Sequence, residues 1–129
     1  MTSGIIEANS VNWEGIINGE KGPSVVMFYL TTCPHCQNIY PYFQNFAQEF
    51  GDRVTFAKMN AEENPDISGL YGIMGTPTFI YFCKGIAIKS ETGAVHPANL
   101  KRNIEELITG GEECVLKTTV LSHEISPYE

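Results

Sequence analysis

VVMFYLTTCPHC, residues 25–36, decides how the rest of the chain is read. Val25–Leu30 is an apolar run rich in β-branched and aromatic side chains, the pattern of a buried strand. Thr31 and Thr32 end it. Pro34 then falls where a helix opens, since its missing N–H costs nothing at the first helical position and its φ is already helical. Cys33 is thereby placed at a helix N-terminus, with Cys36 one turn further in. Unpaired backbone N–H groups and the helix dipole favour a thiolate at Cys33, and the thiolate is the nucleophilic form of cysteine. Cys36 is near enough to close a disulfide with it. A C-x-x-C between a strand and a helix reads as a redox pair. The same two cysteines fit half a zinc site, but such a site takes four ligands, and Cys83 and Cys114 stand apart with no second C-x-x-C.

Outward from this stretch, strands and helices alternate. Gly4–Glu7 is a short apolar edge strand. Asn9 or Ser10 caps a helix over Val11–Ile17, and NGEKGP (Asn18–Pro23) breaks the chain. After the central strand, Ile39, Phe43, Phe46 and Phe50 recur at helical spacing from Pro34 to Phe50, with Pro41 expected to kink the helix. Val54–Met59 is a strand, Asn60–Pro65 an acidic loop, and Pro65–Tyr71 a short helix ended by Gly72. Gly75–Pro77 turns into the strand Thr78–Phe82. Lys84–Gly85 is a hairpin signal, and Ile86–Lys89 is the return strand. Pro97 opens a last helix that turns Leu100, Ile104, Leu107 and Ile108 inward and ends at Gly110–Gly111. The order β-α-β-α-β-α-β-β-α predicts an α/β fold: a mixed, mostly parallel sheet of four to five strands, an antiparallel edge from the hairpin, and helices on both faces. Residues 1–110 form the expected domain. Residues 111–129 are an extension in which Val115–Leu121 is either an extra strand or a loose tail.

The 129 residues, 43% of them hydrophobic, are enough for one domain with a sizeable core. Fifteen acidic and eight basic side chains give a net charge of −7 with no basic run, which argues against nucleic acid and acidic membranes as partners. No apolar run has transmembrane length. MTSGIIEANS has neither a basic region nor a long apolar region, so the expected compartment is the cytoplasm, where a catalytic disulfide is more usual than a structural one.

With these residues in view the chain resembles the thioredoxin family over about residues 5–110. Cys33-Pro34-His35-Cys36 stands at the family's C-x-x-C, Pro41 at its helix kink, and Lys58 at its lysine beneath the active site. Gly75-Thr76-Pro77-Thr78 is similar to its G-x-P-T turn, and Gly93 to the small residue of its substrate groove. The resemblance implies a cis bond at Thr76–Pro77 facing the dithiol, with the Thr76 backbone free to pair with an extended substrate. Cys36 and Pro77 lie 41 positions apart, the compact layout of thioredoxins and too close for the inserted helical domain of periplasmic thiol oxidases that also carry C-P-H-C.

Three departures from the family matter. Pro-His replaces the usual Gly-Pro, and partial positive charge on His35 would stabilise the Cys33 thiolate and make the disulfide more oxidising. Met27 stands where the family buries a proton-accepting aspartate; Lys58, without that partner, is expected to turn toward solvent, and Glu62 and Glu63 are remote substitutes. Tyr29 and Thr32 replace two tryptophans. Cys83 and Cys114 are expected to be unrelated thiols, with a second redox pair or a dimer link as alternatives; His96 and His123 have no comparable setting.

The resemblance implies dithiol–disulfide exchange. Cys33 would attack a substrate disulfide and Cys36 would resolve the mixed disulfide. Thr76, Pro77 and Gly93 would position the substrate, and His35 with Pro34 would set the poise. Lys58 and Pro41 are supporting residues. The implied partners are disulfide-containing proteins and an external thiol reductase or oxidant; no metal or organic cofactor and a monomeric chain are expected. The direction is left between a thioredoxin-like reductase and a more oxidising oxidase or isomerase. The reading from another class is a binding module, or a metal site at Cys33, His35 and Cys36.

Overall fold

The computed structural model describes residues 4–19 and 22–110. Cys114, Val115–Leu121, His123 and the rest of the expected extension lie outside the described residues. Nine elements follow in chain order: β1 (Ile5–Glu7), α1 (Trp13–Ile17), β2 (Pro23–Tyr29), α2 (Pro34–Phe50), β3 (Thr55–Asn60), α3 (Pro65–Leu70), β4 (Thr78–Cys83), β5 (Ile86–Thr92) and α4 (Pro97–Thr109). The order is the one the alternating pattern predicts.

The five strands form one sheet in the order β1-β3-β2-β4-β5. β1, β3 and β2 are parallel, whereas β4 runs antiparallel to β2 and β5 antiparallel to β4. The antiparallel part is therefore larger than the hairpin edge expected from sequence. Its cause lies in the link between β3 and β4, which contains only the six-residue α3. The chain turns back at the end of the sheet where β3 finishes, without the crossover a parallel strand needs.

Two cores sit on the two faces. Val25, Met27, Phe79 and Tyr81 point to one face and pack with Phe43 and Ala47 of α2 and Leu100, Ile104 and Leu107 of α4. Phe43 meets Phe56 and Phe79 at ring separations of 5.3 and 5.5 Å. Val26, Phe28, Ile80 and Phe82 point the other way, against Trp13, Ile16 and Ile17. Alternate residues of β2 and β4 are thus apolar in both directions, as a strand covered on both sides requires.

The differences from the expected boundaries are local and physical. Asn9 does not cap α1. Its side chain accepts from the N–H groups of Val11 and Asn12, holding a turn that delays the helix to Trp13 and leaves Val11 93% exposed. Ser10 donates instead to Asp66, in the first turn of α3. β5 continues to Thr92 because its pairing with β4 runs through Thr78↔Thr92. The hairpin turn places Lys84 and Gly85 at φ 54° and 82°, the left-handed pair that matches strand twist. His96 has a role after all: it is the N-cap of α4, its Nδ1 accepting from the Ala98 N–H at 3.1 Å. Cys83 is buried at the end of β4 and is disulfide-bonded, which corrects its reading as an unrelated thiol.

Candidate functional site

β2 and β3 finish at the end of the sheet where β4 begins, so the segments beyond Tyr29 and Asn60 and before Thr78 converge there. After β2, the Cys33 N–H bonds back to the Leu30 carbonyl at 3.2 Å, closing the turn that delivers Cys33 as the N-cap of α2. Pro34 follows as the first helical residue, and the Cys33 carbonyl accepts the first helical bond, from Gln37 N–H at 3.1 Å. The helix continues through Pro41 to Phe50. Having no N–H, Pro41 leaves the Gln37 carbonyl without its helical donor.

The Cys33 sulfur takes the place that a serine or aspartate oxygen holds in an ordinary N-cap. It accepts the Cys36 backbone N–H at 3.2 Å, and its thiol donates to the Thr76 carbonyl at 3.4 Å. Thr76–Pro77 is a cis peptide bond. Gly93, at φ 100°, completes this wall by donating its N–H to the Pro77 carbonyl at 2.9 Å. Cys33, Cys36, Thr76, Pro77 and Gly93 are thus brought together from two loops and a helix start. His35 is exposed on the first turn, and its backbone N–H reaches toward the Cys33 sulfur.

The two thiols are driven in opposite directions. Burial pushes Cys33 up, but it is outweighed by hydrogen bonds from the Cys36 and Thr76 side chains and from the N–H groups of Cys36 and His35. The net effect holds Cys33 below the ordinary thiol range. Burial pushes Cys36 up to about 11, reinforced by its hydrogen bond with Cys33. Both are free thiols, Cys33 partly exposed and Cys36 only 3% exposed. A low-pKa accessible sulfur beside a buried protonated one is the arrangement that separates an attacking thiol from a resolving one.

Lys58 does not turn toward solvent. Its ammonium lies 3.6 Å from Glu7 and over the rings of Tyr29 and Tyr40, at 5.3 and 4.7 Å from their centroids. Glu7 also accepts from the Tyr29 hydroxyl at 2.8 Å, and burial raises the Tyr29 phenol above its usual range. Sequence reasoning missed Glu7. Its partnership depends on the register Glu7↔Lys58↔Met27 across β1, β3 and β2, and a three-residue strand carries no readable register. Glu62 and Glu63 are exposed, their N–H groups held by the Asn60 side chain. Among the described residues, no three His, Cys, Asp or Glu side chains gather as a metal-binding group, and no helix is long and apolar enough to cross a membrane.

The Thioredoxin family model matches residues 4–106. A thioredoxin of Alicyclobacillus acidocaldarius is 33% identical over 97 residues, covering 75% of this chain and 91% of that protein. Chloroplastic M-type thioredoxins of Zea mays and Pisum sativum are 29% and 31% identical over 81% and 78% of this chain, which spans only 62% and 58% of their length. Among solved structures, a thioredoxin of Malassezia sympodialis overlays with a TM-score of 0.74 at 29% identity, covering 82% of this chain and 91% of that one.

Proposed function

Since the chain belongs to the thioredoxin family and has its α/β fold with a five-strand mixed sheet, we propose that it is a thiol–disulfide oxidoreductase. In this reading it reduces protein disulfides through Cys33 and Cys36. The observation that carries the proposal is the double engagement of the Cys33 sulfur, by the Cys36 N–H on one side and the Thr76 carbonyl on the other. A substrate disulfide laid along Thr76 would meet the Cys33 sulfur at the helix N-terminus. Cys33 attacks it and forms a mixed disulfide. Cys36 then attacks Cys33, releasing the reduced substrate and leaving a Cys33–Cys36 disulfide. Pro77 and Gly93 shape the groove, and Lys58 and Pro41 support the helix and sheet beneath it. An external thiol reductase returns the pair to the dithiol, and the protein acts as a monomer without a metal or organic cofactor.

The C-P-H-C sequence is the basis for a second reading, a more oxidising enzyme. Partial positive charge on the exposed His35 imidazole beside the helix N-terminus would favour the thiolate and hence the reduced form. We favour the reductase direction and a cytoplasmic setting, in keeping with the similarity to bacterial thioredoxins. The disulfide at Cys83 is the observation on the other side.

The test is the reduction of insulin disulfides by catalytic protein in the presence of dithiothreitol. The reading requires activity in the wild type, loss of it in Cys33→Ser, and capture of a covalent substrate adduct by Cys36→Ser. An inactive wild type that never forms a Cys33–Cys36 disulfide overturns it in favour of a binding module.

A further inference from the structure

Resolution by Cys36 needs a proton acceptor. The thiol is buried, and burial holds it protonated at neutral pH. Beside it opens a cavity of about 220 Å³ whose lining includes Met27, Tyr29, Cys36, Tyr40 and Lys58; Glu7 is not in the lining and meets it through Tyr29 and Lys58. That volume has room for several waters, and the lining offers polar groups to hold them. Met27 carries no proton, and Lys58 is the charged residue of the lining. Lys58 and Tyr29 both hold Glu7: one carboxylate oxygen faces the Lys58 ammonium and the other accepts the Tyr29 hydroxyl. The Glu7 side chain is half-exposed, at 52%, so bulk water reaches it. The groups that touch Glu7 are Lys58 from β3 and Tyr29 from β2; behind them Tyr40 from α2 lies against Lys58, and Glu63 lies near Tyr29.

We propose that Glu7 is the carboxylate that receives, through water in this cavity, the proton Cys36 gives up when it resolves a mixed disulfide. The proposal rests on the exchange mechanism above. In the step, the Cys36 S–H proton passes along water to Glu7. The Cys36 thiolate attacks the Cys33 sulfur, the Cys33–Cys36 bond forms, and the bond between Cys33 and the substrate sulfur breaks. The substrate sulfur leaves with the bonding electron pair as a thiolate and is protonated by solvent. Over the two attacks Cys33 and Cys36 together give up the two electrons that the substrate disulfide gains. Glu7 then loses its proton to bulk water. It acts through water and the Lys58–Tyr29 clamp, and is a positioning residue.

Stopped-flow reaction of the reduced protein with the aromatic disulfide 5,5′-dithiobis(2-nitrobenzoate) separates the two steps. The first release of thionitrobenzoate reports attack by Cys33 and the second reports resolution by Cys36. Glu7→Gln is expected to leave the first phase unchanged and slow the second about tenfold, less than the 10²–10⁴-fold of a directly placed base. The second phase should also lose the part of its pH profile that follows a carboxylate. Glu7→Asp should keep that part. Met27→Asp, added to Glu7→Gln, should restore the rate, because Met27 lies in the same cross-strand row beside Cys36. Superimposable second-phase pH profiles for wild type and Glu7→Gln overturn the relay and leave the exchange mechanism standing. Absence of the first phase in wild type overturns the exchange mechanism itself.

Discussion

The Cys33 thiol donates to the carbonyl oxygen of Thr76 at 3.4 Å, a contact between residues 43 positions apart in the chain. It fixes the sulfur against the strip of backbone before Pro77 while the sulfur accepts the Cys36 N–H. With Cys36 buried behind it, the outward-facing sulfur is chemically distinct from its partner.

That distinction predicts a split alkylation profile. The Cys33 rate with iodoacetamide should rise with pH and level off below the ordinary thiol range, because its pKa is lowered. Cys36, held up at about 11, should stay unmodified through neutral pH and react only as pH approaches that value. Peptide mass spectrometry of protein labelled between pH 5 and pH 11 measures both. Equal labelling of the two at pH 7 would contradict the geometry.

His35→Ala should make the Cys33–Cys36 disulfide less oxidising. Removing the partial positive charge of the imidazole beside the helix N-terminus should destabilise the thiolate, and hence the reduced form. An exposed charge in that position contributes about 0.5–1 kcal/mol, which for a two-electron couple is about 10–20 mV. Equilibration in defined glutathione buffers reads the shift. A move toward more oxidising values would show that the imidazole does not act on the sulfur.

Phe43→Ala should destabilise the fold by about 3–5 kcal/mol, the range for emptying a fully buried aromatic site. Phe43 fills the space between α2 and the sheet against Phe56 and Phe79. Urea unfolding followed by circular dichroism gives the difference, with the m-value unchanged if only the core is affected.

Cys83 should be protected from alkylation in denatured, unreduced protein and become labelled only after reduction, whereas Cys33 and Cys36 of the dithiol form are labelled without it. Peptide mapping before and after dithiothreitol decides this. Label on Cys83 without reductant would mean that its sulfur is not held in a disulfide.

What could be read from the sequence was whatever local chemistry imposes. Pro34 after Cys33 and the four-three-four recurrence of Ile39, Phe43, Phe46 and Phe50 give α2 its observed span. The apolar run at 25–30 gives β2, because a strand covered on both faces has no polar side to disguise it. The lowered Cys33 pKa follows from its N-cap position, which Pro34 announces. Non-local pairings were not legible. The antiparallel course of β4 depends on how seventeen residues fold back over a short helix, and no periodicity encodes that direction. The inward course of Lys58 carries no local signal, because its partner lies on another strand and tyrosines from two separate elements close over it. The capping role of His96 was within reach, since Pro97 marks the helix start and the residue before it is the cap by position.

The convergence of strand ends has one further consequence. Residues 33, 36, 76, 77 and 93 are drawn to one end of the sheet from stretches far apart in sequence, and no consecutive fragment contains more than part of the set. The chemical character of Cys33 is therefore a collective property. Its sulfur acquires the Thr76 contact only when β4 has docked beside β2, and the wall behind it only when β5 has delivered Gly93. The reactivity of a single sulfur thus reports whether β2, β4 and β5 have assembled, making this cysteine a built-in probe of that half of the sheet.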